Sequence, residues 1–464
     1  MTRSGGMFLG GAKSRLLPAS VPFRYFGSAV VFHLLAWLAL LAGADSLPRF
    51  RGGLGWPLAA LHLTTLGVLV MSAIGASLQL LPVASRQPVR STRLAVAIWW
   101  LFTPGVALLA SGMAWVLPFA LATGAALVVL ALLGYAALLA TNLRGARGMP
   151  GVIAYGWSAL GCLALVLLTA LSLAFTYVGV PLIDRHTALV LHLAFAAYGF
   201  MGLLAFGMSC ILVPMFALSP LPAERSMLTS CALAVAALLL AGLAAIQAAP
   251  SGTLVATTTS LLVGAIGLGL AGTGLHLHAM RQALRVGMRR ELGQSFTLVR
   301  IGWSMLLASL VLALLMVLAA PVRGMVGGLI SGLIDASATV SSANASASSA
   351  SLDALLERLP ALFALVLIGG WLLTFLLGIL RRILPFLGSM HVPARGRRAP
   401  TPSSLSAERP LVIHYRCHLG ALAALAVAIL TDNGSIATIG AVIGSIGAIA
   451  FAVFFAILLQ RMRR

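Results

Sequence analysis

Acidic side chains are scarce, with nine Asp and Glu in 464 residues against 30 Lys and Arg. Charged residues of both signs make up only 8% of the chain, whereas a soluble domain carries about 25%. Strand-length alternation of polar and apolar residues is also missing, which excludes a closed membrane barrel. The four cysteines, Cys162, Cys210, Cys231 and Cys417, include no Cys-x-x-Cys pair, so neither a disulfide framework nor an iron–sulfur site is implied. Three of them lie in apolar stretches, where a thiol behaves as a small hydrophobe. Cys417 differs in standing between His414 and His418. Met1–Ser20 has basic residues and glycine but no short apolar core ending in a small-residue cleavage site, and reads as a retained cytoplasmic tail.

Apolar residues are plentiful. They make up 61% of the chain, and the mean hydropathy is +1.06, values of a polytopic membrane protein. Twelve apolar stretches fall at about 25–44, 57–84, 94–116, 118–140, 153–179, 187–217, 227–248, 254–279, 297–320, 360–388, 411–430 and 435–459. Each is long enough as a helix to cross a hydrocarbon layer of about 30 Å.

The basic residues set the expected orientation. With a cytoplasmic N-terminus, only Arg49, Arg51, Arg185, Arg323 and Arg358 of the 30 basic residues fall outside, together with six of the nine acids. Both termini are then cytoplasmic. The net charge of +21 is accounted for by topology and contact with anionic lipid; no basic soluble domain is present to bind nucleic acid. Little lies outside the bilayer. An external loop at about 321–358 holds the low-complexity run SATVSSANASASSASLD, and a cytoplasmic loop at about 393–410 is rich in Arg and Pro. Neither has the character of a catalytic domain.

One pattern recurs three times. Gly75 and Pro82, Gly207 and Pro214, and Gly378 and Pro385 are each seven residues apart, near the ends of the second, sixth and tenth stretches. Proline frees a carbonyl one turn back and glycine permits close backbone approach, so each segment predicts a bent helix satisfied by its neighbours. The expected fold is therefore all-α, a single transmembrane domain over 1–464 of about twelve helices. They form three pseudo-symmetric arcs of four, at about 25–140, 153–279 and 297–459. Bends placed around a pseudo-threefold axis suit a small-molecule pore as well as a cofactor pocket.

Histidine is the main carrier of chemistry, because nearly all Asp, Glu, Lys and Arg fall at loop or interface positions. A carboxylate proton relay is thus absent, although ion-coupled transporters usually bury at least one such group. His62 and His192 lie near the outer ends of the second and sixth helices, read as matching positions, and His33 is midway along the first. Thr65, Ser72, Ala76 and Gln79 share a face with His62, as Gly199, Gly202 and Ser209 do with His192, so both faces are expected against protein. Such histidines either bond across a helix interface or ligate a haem iron or copper. A second group, His276, His278, His391, His414 and His418, is expected toward the cytoplasmic side. His414 and His418 are four residues apart, which puts both rings on one helical face and permits chelation, whereas His276 and His278 point apart. Interfacial histidines without metal are equally consistent with this second group.

Three four-helix arcs, with histidines on the second and sixth helices, resemble subunit I of haem–copper oxidases and the related NnrS-type membrane proteins. The segments that carry the likeness are HLTTLGVLVMSAIGASLQLLPV at 62–83, HLAFAAYGFMGLLAFGMSCILVPMF at 192–216 and GWLLTFLLGILRRILPFLGSMH at 370–391. The resemblance implies an inner-membrane protein with haem b, copper or both. His62 would be a haem ligand, with His33, His192 or a methionine as its axial partner, and His192 a copper ligand. It also implies a redox partner or a small gaseous ligand. The sequence departs from the oxidase pattern in three places. ALFALVLIGGWLLTFLLG, on the tenth helix, has no histidine pair. Ala196 stands where the oxidases place a tyrosine, and the adjacent histidines of the seventh helix are missing. The oxygen-reducing site of that family therefore cannot be assembled.

Three functions follow as expectations. One is a haem- or copper-binding protein serving nitric oxide response, metal homeostasis or redox sensing. The others are an atypical membrane oxidoreductase and a cofactor-free transporter or scaffold.

Overall fold

A computed structural model describes residues 17–177, 179–248, 256–289, 291–336, 356–392 and 400–463. Most of the expected N-terminal tail, the low-complexity run and the first half of the Arg- and Pro-rich loop lie outside the described residues. Among those described there is no strand, and twelve helices are long and apolar enough to cross a membrane. We number them α1 (Ser20–Ala42), α2 (Trp56–Val83), α3 (Thr92–Ala114), α4 (Pro118–Arg144), α5 (Pro150–Tyr177) and α6 (Arg185–Ala217). The second half comprises α7 (Glu224–Ala248), α8 (Ala256–Val286), α9 (Gly293–Ala336), α10 (Leu356–His391), α11 (Glu408–Thr431) and α12 (Gly434–Arg463). The protein is thus an all-helical, multi-pass membrane protein. Helix α9 continues through Ala336, well into the segment expected as loop, and the loop before α11 contains one short helix, Pro402–Leu405.

The packing repeats every four helices. In each arc the last two helices form a tight antiparallel hairpin, α3 with α4, α7 with α8 and α11 with α12, and the first two pair as α1 with α2, α5 with α6 and α9 with α10. Contacts of α4 with α5, α8 with α9 and α12 with α1 close the arcs into a ring. Helices α2, α6 and α10 are the most enclosed. In their most apolar windows 78, 83 and 61% of residues are buried, against 50% or less in the other nine helices. They occupy the centre, where α10 touches both α2 and α6.

The glycine–proline pattern is only part of the repeat. Each central helix is wound as π-helix over one stretch, Leu63–Val70, Ala194–Gly202 and Leu365–Leu373. A further glycine, Gly67, Gly199 or Gly370, sits three residues before the end of each stretch and eight residues before the glycine already noted. A Cβ on Gly67 would lie 2.7 Å from Phe32 of α1, on Gly199 2.9 Å from Cys162 of α5, and on Gly370 3.0 Å from Met305 of α9. The second glycine of each pair meets the same partner helix seven residues earlier in sequence. Gly75 faces Tyr25, Gly207 faces Tyr155, and Gly378 faces Leu298 and the Ser295 carbonyl. Two glycines therefore let each central helix lie against the first helix of its own arc, and the wider π turn between them sets their register.

Polar side chains tie the helices internally, as hydrocarbon requires. The Tyr25 hydroxyl donates to the Ala95 carbonyl at 2.7 Å and that of Tyr155 to Ser230 at 2.9 Å. Tyr198 of α6 donates to Ser309 of α9 at 2.9 Å and lies against Trp371 of α10, linking the second and third arcs. The expected polar faces are turned inward, with Ser72, Gln79 and Ser209 all buried.

Candidate functional site: a buried histidine cluster between α1, α10 and α11

Three of the nine histidines meet in the interior. His33, midway along α1, meets His414 and His418 of α11. The ring centroids of His33 and His414 are 6.0 Å apart and those of His414 and His418 are 5.9 Å apart. All three are enclosed, with exposures of 3, 0 and 2%. Their spacing explains the arrangement, because positions four apart on α11 stack two rings on the face turned toward α1 and α10.

Hydrogen bonds fix the tautomers. The indole N–H of Trp37, one turn beyond His33, donates to His33 Nε2 at 3.1 Å. A neutral His33 therefore carries its proton on Nδ1, which has no partner. On α10 the Thr374 hydroxyl donates to the Gly369 carbonyl at 2.7 Å, so it accepts from His418 Nε2 at 2.8 Å. His418 Nδ1 then bears the lone pair, and it too is without a partner. His414 has no hydrogen bond at either nitrogen and packs against Phe451 of α12 at 4.8 Å. The cluster thus presents an N–H from His33, a lone pair from His418, and the lone pair and N–H of His414.

The remaining candidates are separate. His62 Nδ1 donates to the Leu58 carbonyl at 3.0 Å, and His192 Nδ1 lies 3.4 Å from Thr169 Oγ1. In each the lone pair is therefore on Nε2, and the two rings are electrostatic neighbours. Counted from the paired glycines they are two positions out of register, not at matching positions, because His62 precedes Gly67 by five residues and His192 precedes Gly199 by seven. His391 is engaged at both nitrogens. Nδ1 donates to the Leu387 carbonyl at 2.8 Å, and Nε2 lies 3.1 Å from the Gln79 amide and 3.0 Å from the Leu17 carbonyl. It ties α10 to Gln79 of α2, whose side chain in turn bonds the Leu17 backbone in the chain entering α1. His276 is stacked flat on Phe206 at 4.0 Å within the second arc, and His278 is exposed, bonded to Gln282 one turn on. The expected second group is accordingly dispersed over three places. Cys417 packs against Gly447 of α12, and among the described residues no group of three or more His, Cys, Asp or Glu is disposed to hold a metal ion.

Two cavities adjoin the cluster. The larger, about 110 Å³, lies between α1, α2, α10 and α11. It is apolar, has Trp37 in its wall, and is lined by no histidine. The smaller, about 10 Å³, is lined by His33 and eight apolar residues. Sequence reasoning identified His33, His414 and His418 individually but not their meeting, nor Trp37 and Thr374, whose roles depend on which arcs adjoin. No protein-family model matches the chain, and no curated protein matches it.

Proposed function

We propose that this protein is an integral membrane copper-binding protein, in which His414 and His418 would hold the metal and the unpartnered N–H of His33 would supply a hydrogen-bond donor beside them. On this reading it keeps the scaffold resembling haem–copper oxidase subunit I, without the oxygen-reducing site, and serves metal homeostasis or the response to a small gaseous ligand such as nitric oxide. The observation that carries the reading is His414, fully buried with both ring nitrogens unpartnered. A buried polar group without a partner costs about 1–3 kcal/mol, so a ligand at this ring recovers free energy that the apo protein forgoes.

The donor set suits copper. Neutral imidazole is a good ligand for copper, and two histidines four apart share one helical face from which both can reach a metal ion. The Thr374 hydroxyl orients His418 in the way that outer hydrogen bonds commonly orient metal-binding histidines. Two protein donors leave the metal open to an exogenous ligand.

Haem fits these residues less well. The cavity of about 110 Å³ between α1, α2, α10 and α11 has no histidine in its wall, and the cavity that His33 does line is far too small for a porphyrin. His33 Nε2, offered by the sequence as an axial ligand, is occupied by Trp37.

The test is elemental analysis and a reduced-minus-oxidised spectrum of the purified protein and of His414→Ala, His418→Ala and His62→Ala. The proposal expects about one copper per chain, lost in the first two variants and kept in the third. A haem Soret band lost in His62→Ala would favour the oxidoreductase reading, and a colourless, metal-free protein would favour transport or scaffolding.

A further inference from the structure

We infer a second site, for a phosphate group, around Arg381 and Arg382 of α10. Arg381 is a cation inside a membrane-spanning helix and only 8% exposed. Its Nη2 donates to Gln294 Oε1 at 2.9 Å, its guanidinium lies over the Tyr415 ring at 5.8 Å, and its Nη1 is buried without a partner. It makes no ion pair, since the two among the described residues are Arg49 with Asp432 and Arg51 with Glu357, and Glu408 is only an electrostatic neighbour. The neighbouring Arg382 is half-buried and bonds to the Leu292 carbonyl, in the turn between α8 and α9, and Arg289 of the same turn is its electrostatic neighbour. Among the described residues, then, Arg381 has a buried N–H without a partner and no ion pair, and the cations of Arg382 and Arg289 add positive charge to the same region.

A buried charge without a partner is among the costliest features a fold can hold. The chemistry that relieves it is an oxyanion, and guanidinium forks bind phosphate in a bidentate fashion. Arg381 and Arg382 lie in the last third of α10, and long arginine side chains in the outer parts of membrane helices can reach toward lipid headgroups. The recognised group is a phosphate mono- or diester, from an anionic lipid or from free phosphate. None of these residues holds the proposed copper, although Arg381 is an electrostatic neighbour of His414.

Native mass spectrometry of the full chain in mild detergent tests it, with phosphatidylglycerol, phosphatidylcholine or inorganic phosphate added at equal concentrations. The expected result is several-fold greater retention of phosphatidylglycerol than of phosphatidylcholine. That preference is expected to fall to parity in Arg381→Gln and Arg382→Gln and to survive in part in Arg381→Lys. Binding of inorganic phosphate alone, lost in the same variants, would keep the site and identify the free anion as its ligand. If Arg381→Gln does not yield folded protein, Arg382→Gln and Arg289→Gln give the same reading from less buried positions. Equal retention of the two lipids without phosphate binding, or a preference unchanged in all the glutamine variants, would overturn the inference.

Discussion

Replacing Gly444 by alanine tests the packing that holds the histidine cluster. A Cβ at this position of α12 would lie 2.1 Å from Trp37 Cε3 and 2.3 Å from two further indole carbons, where carbon atoms normally approach to about 3.5–4.0 Å. Trp37 is 6% exposed, wedged between α1, α11 and α12 in a cluster with Ala421, Leu425 and Ala448. The indole therefore has to move by about 1.5 Å, the shortfall against normal contact. Overpacking of this kind costs about 1–3 kcal/mol. Shifting the indole also breaks its 3.1 Å bond to His33, about 1 kcal/mol more, for a total of about 2–4 kcal/mol. Thermal unfolding in detergent can be followed with a thiol-reactive dye, because Cys162, Cys210 and Cys231 are buried in the folded protein. Gly267 is the control, since a Cβ there meets nothing within 4 Å and alanine is the better helix former. Gly444→Ala should melt several degrees below wild type and Gly267→Ala at or above it. A Gly444→Ala variant as stable as Gly267→Ala would refute the placement of Trp37 against α12.

Three further outcomes are expected. Gly67→Ala, Gly199→Ala and Gly370→Ala should each lower the melting temperature by the same mechanism, with Gly67 most affected because its Cβ would meet Phe32 at 2.7 Å; equal stability in all three would contradict the triplicated glycine contacts. Val116, in the α3–α4 turn, has φ +55°, a conformation costly for a β-branched residue, so Val116→Gly should stabilise by about 1 kcal/mol in the same assay. Arg49 holds the Asp432 carboxyl below its ordinary range through a 2.9 Å ion pair. A depressed folded-state pKa gives stability that is present above the ordinary carboxylate pKa and lost as pH falls through the lower folded value. Asp432→Asn, which tolerates the φ of +53° there, should therefore be less stable than wild type at pH 7, with the gap closing in acid below about pH 4; a gap that persists there would contradict the ion pair's role.

Much of the scaffold was legible because a membrane leaves few choices. Apolar stretches of sufficient length had to be helices, and twelve of them are observed. The Gly75–Pro82 spacing and its two counterparts marked the central helices, since a close backbone approach and a bend both need particular residues. Half of that repeat went unread. Gly67, Gly199 and Gly370 lie among many other glycines, and only their contacts with Phe32, Cys162 and Met305 distinguish them. The π turns left no compositional mark, because a wider turn satisfies the same apolar face.

The histidine cluster was legible only in parts. The four-residue spacing of His414 and His418 predicted a shared face, and that face is observed. Their meeting with His33 depends on α12 closing the ring against α1, a contact between the ends of the chain that local pattern does not encode. His391 shows the opposite situation. Its position suggested a metal ligand, whereas Gln79 and Leu387 engage its ring. In an apolar interior, a histidine is as readily kept for its two hydrogen bonds as for a metal.

The most direct test of the copper assignment is the copper K-edge X-ray absorption spectrum of the purified, reduced protein. The account predicts about one bound copper with imidazole scattering, abolished in His418→Ala and altered but not lost in His33→Ala. Absence of copper, or a spectrum unchanged in His418→Ala, would contradict it.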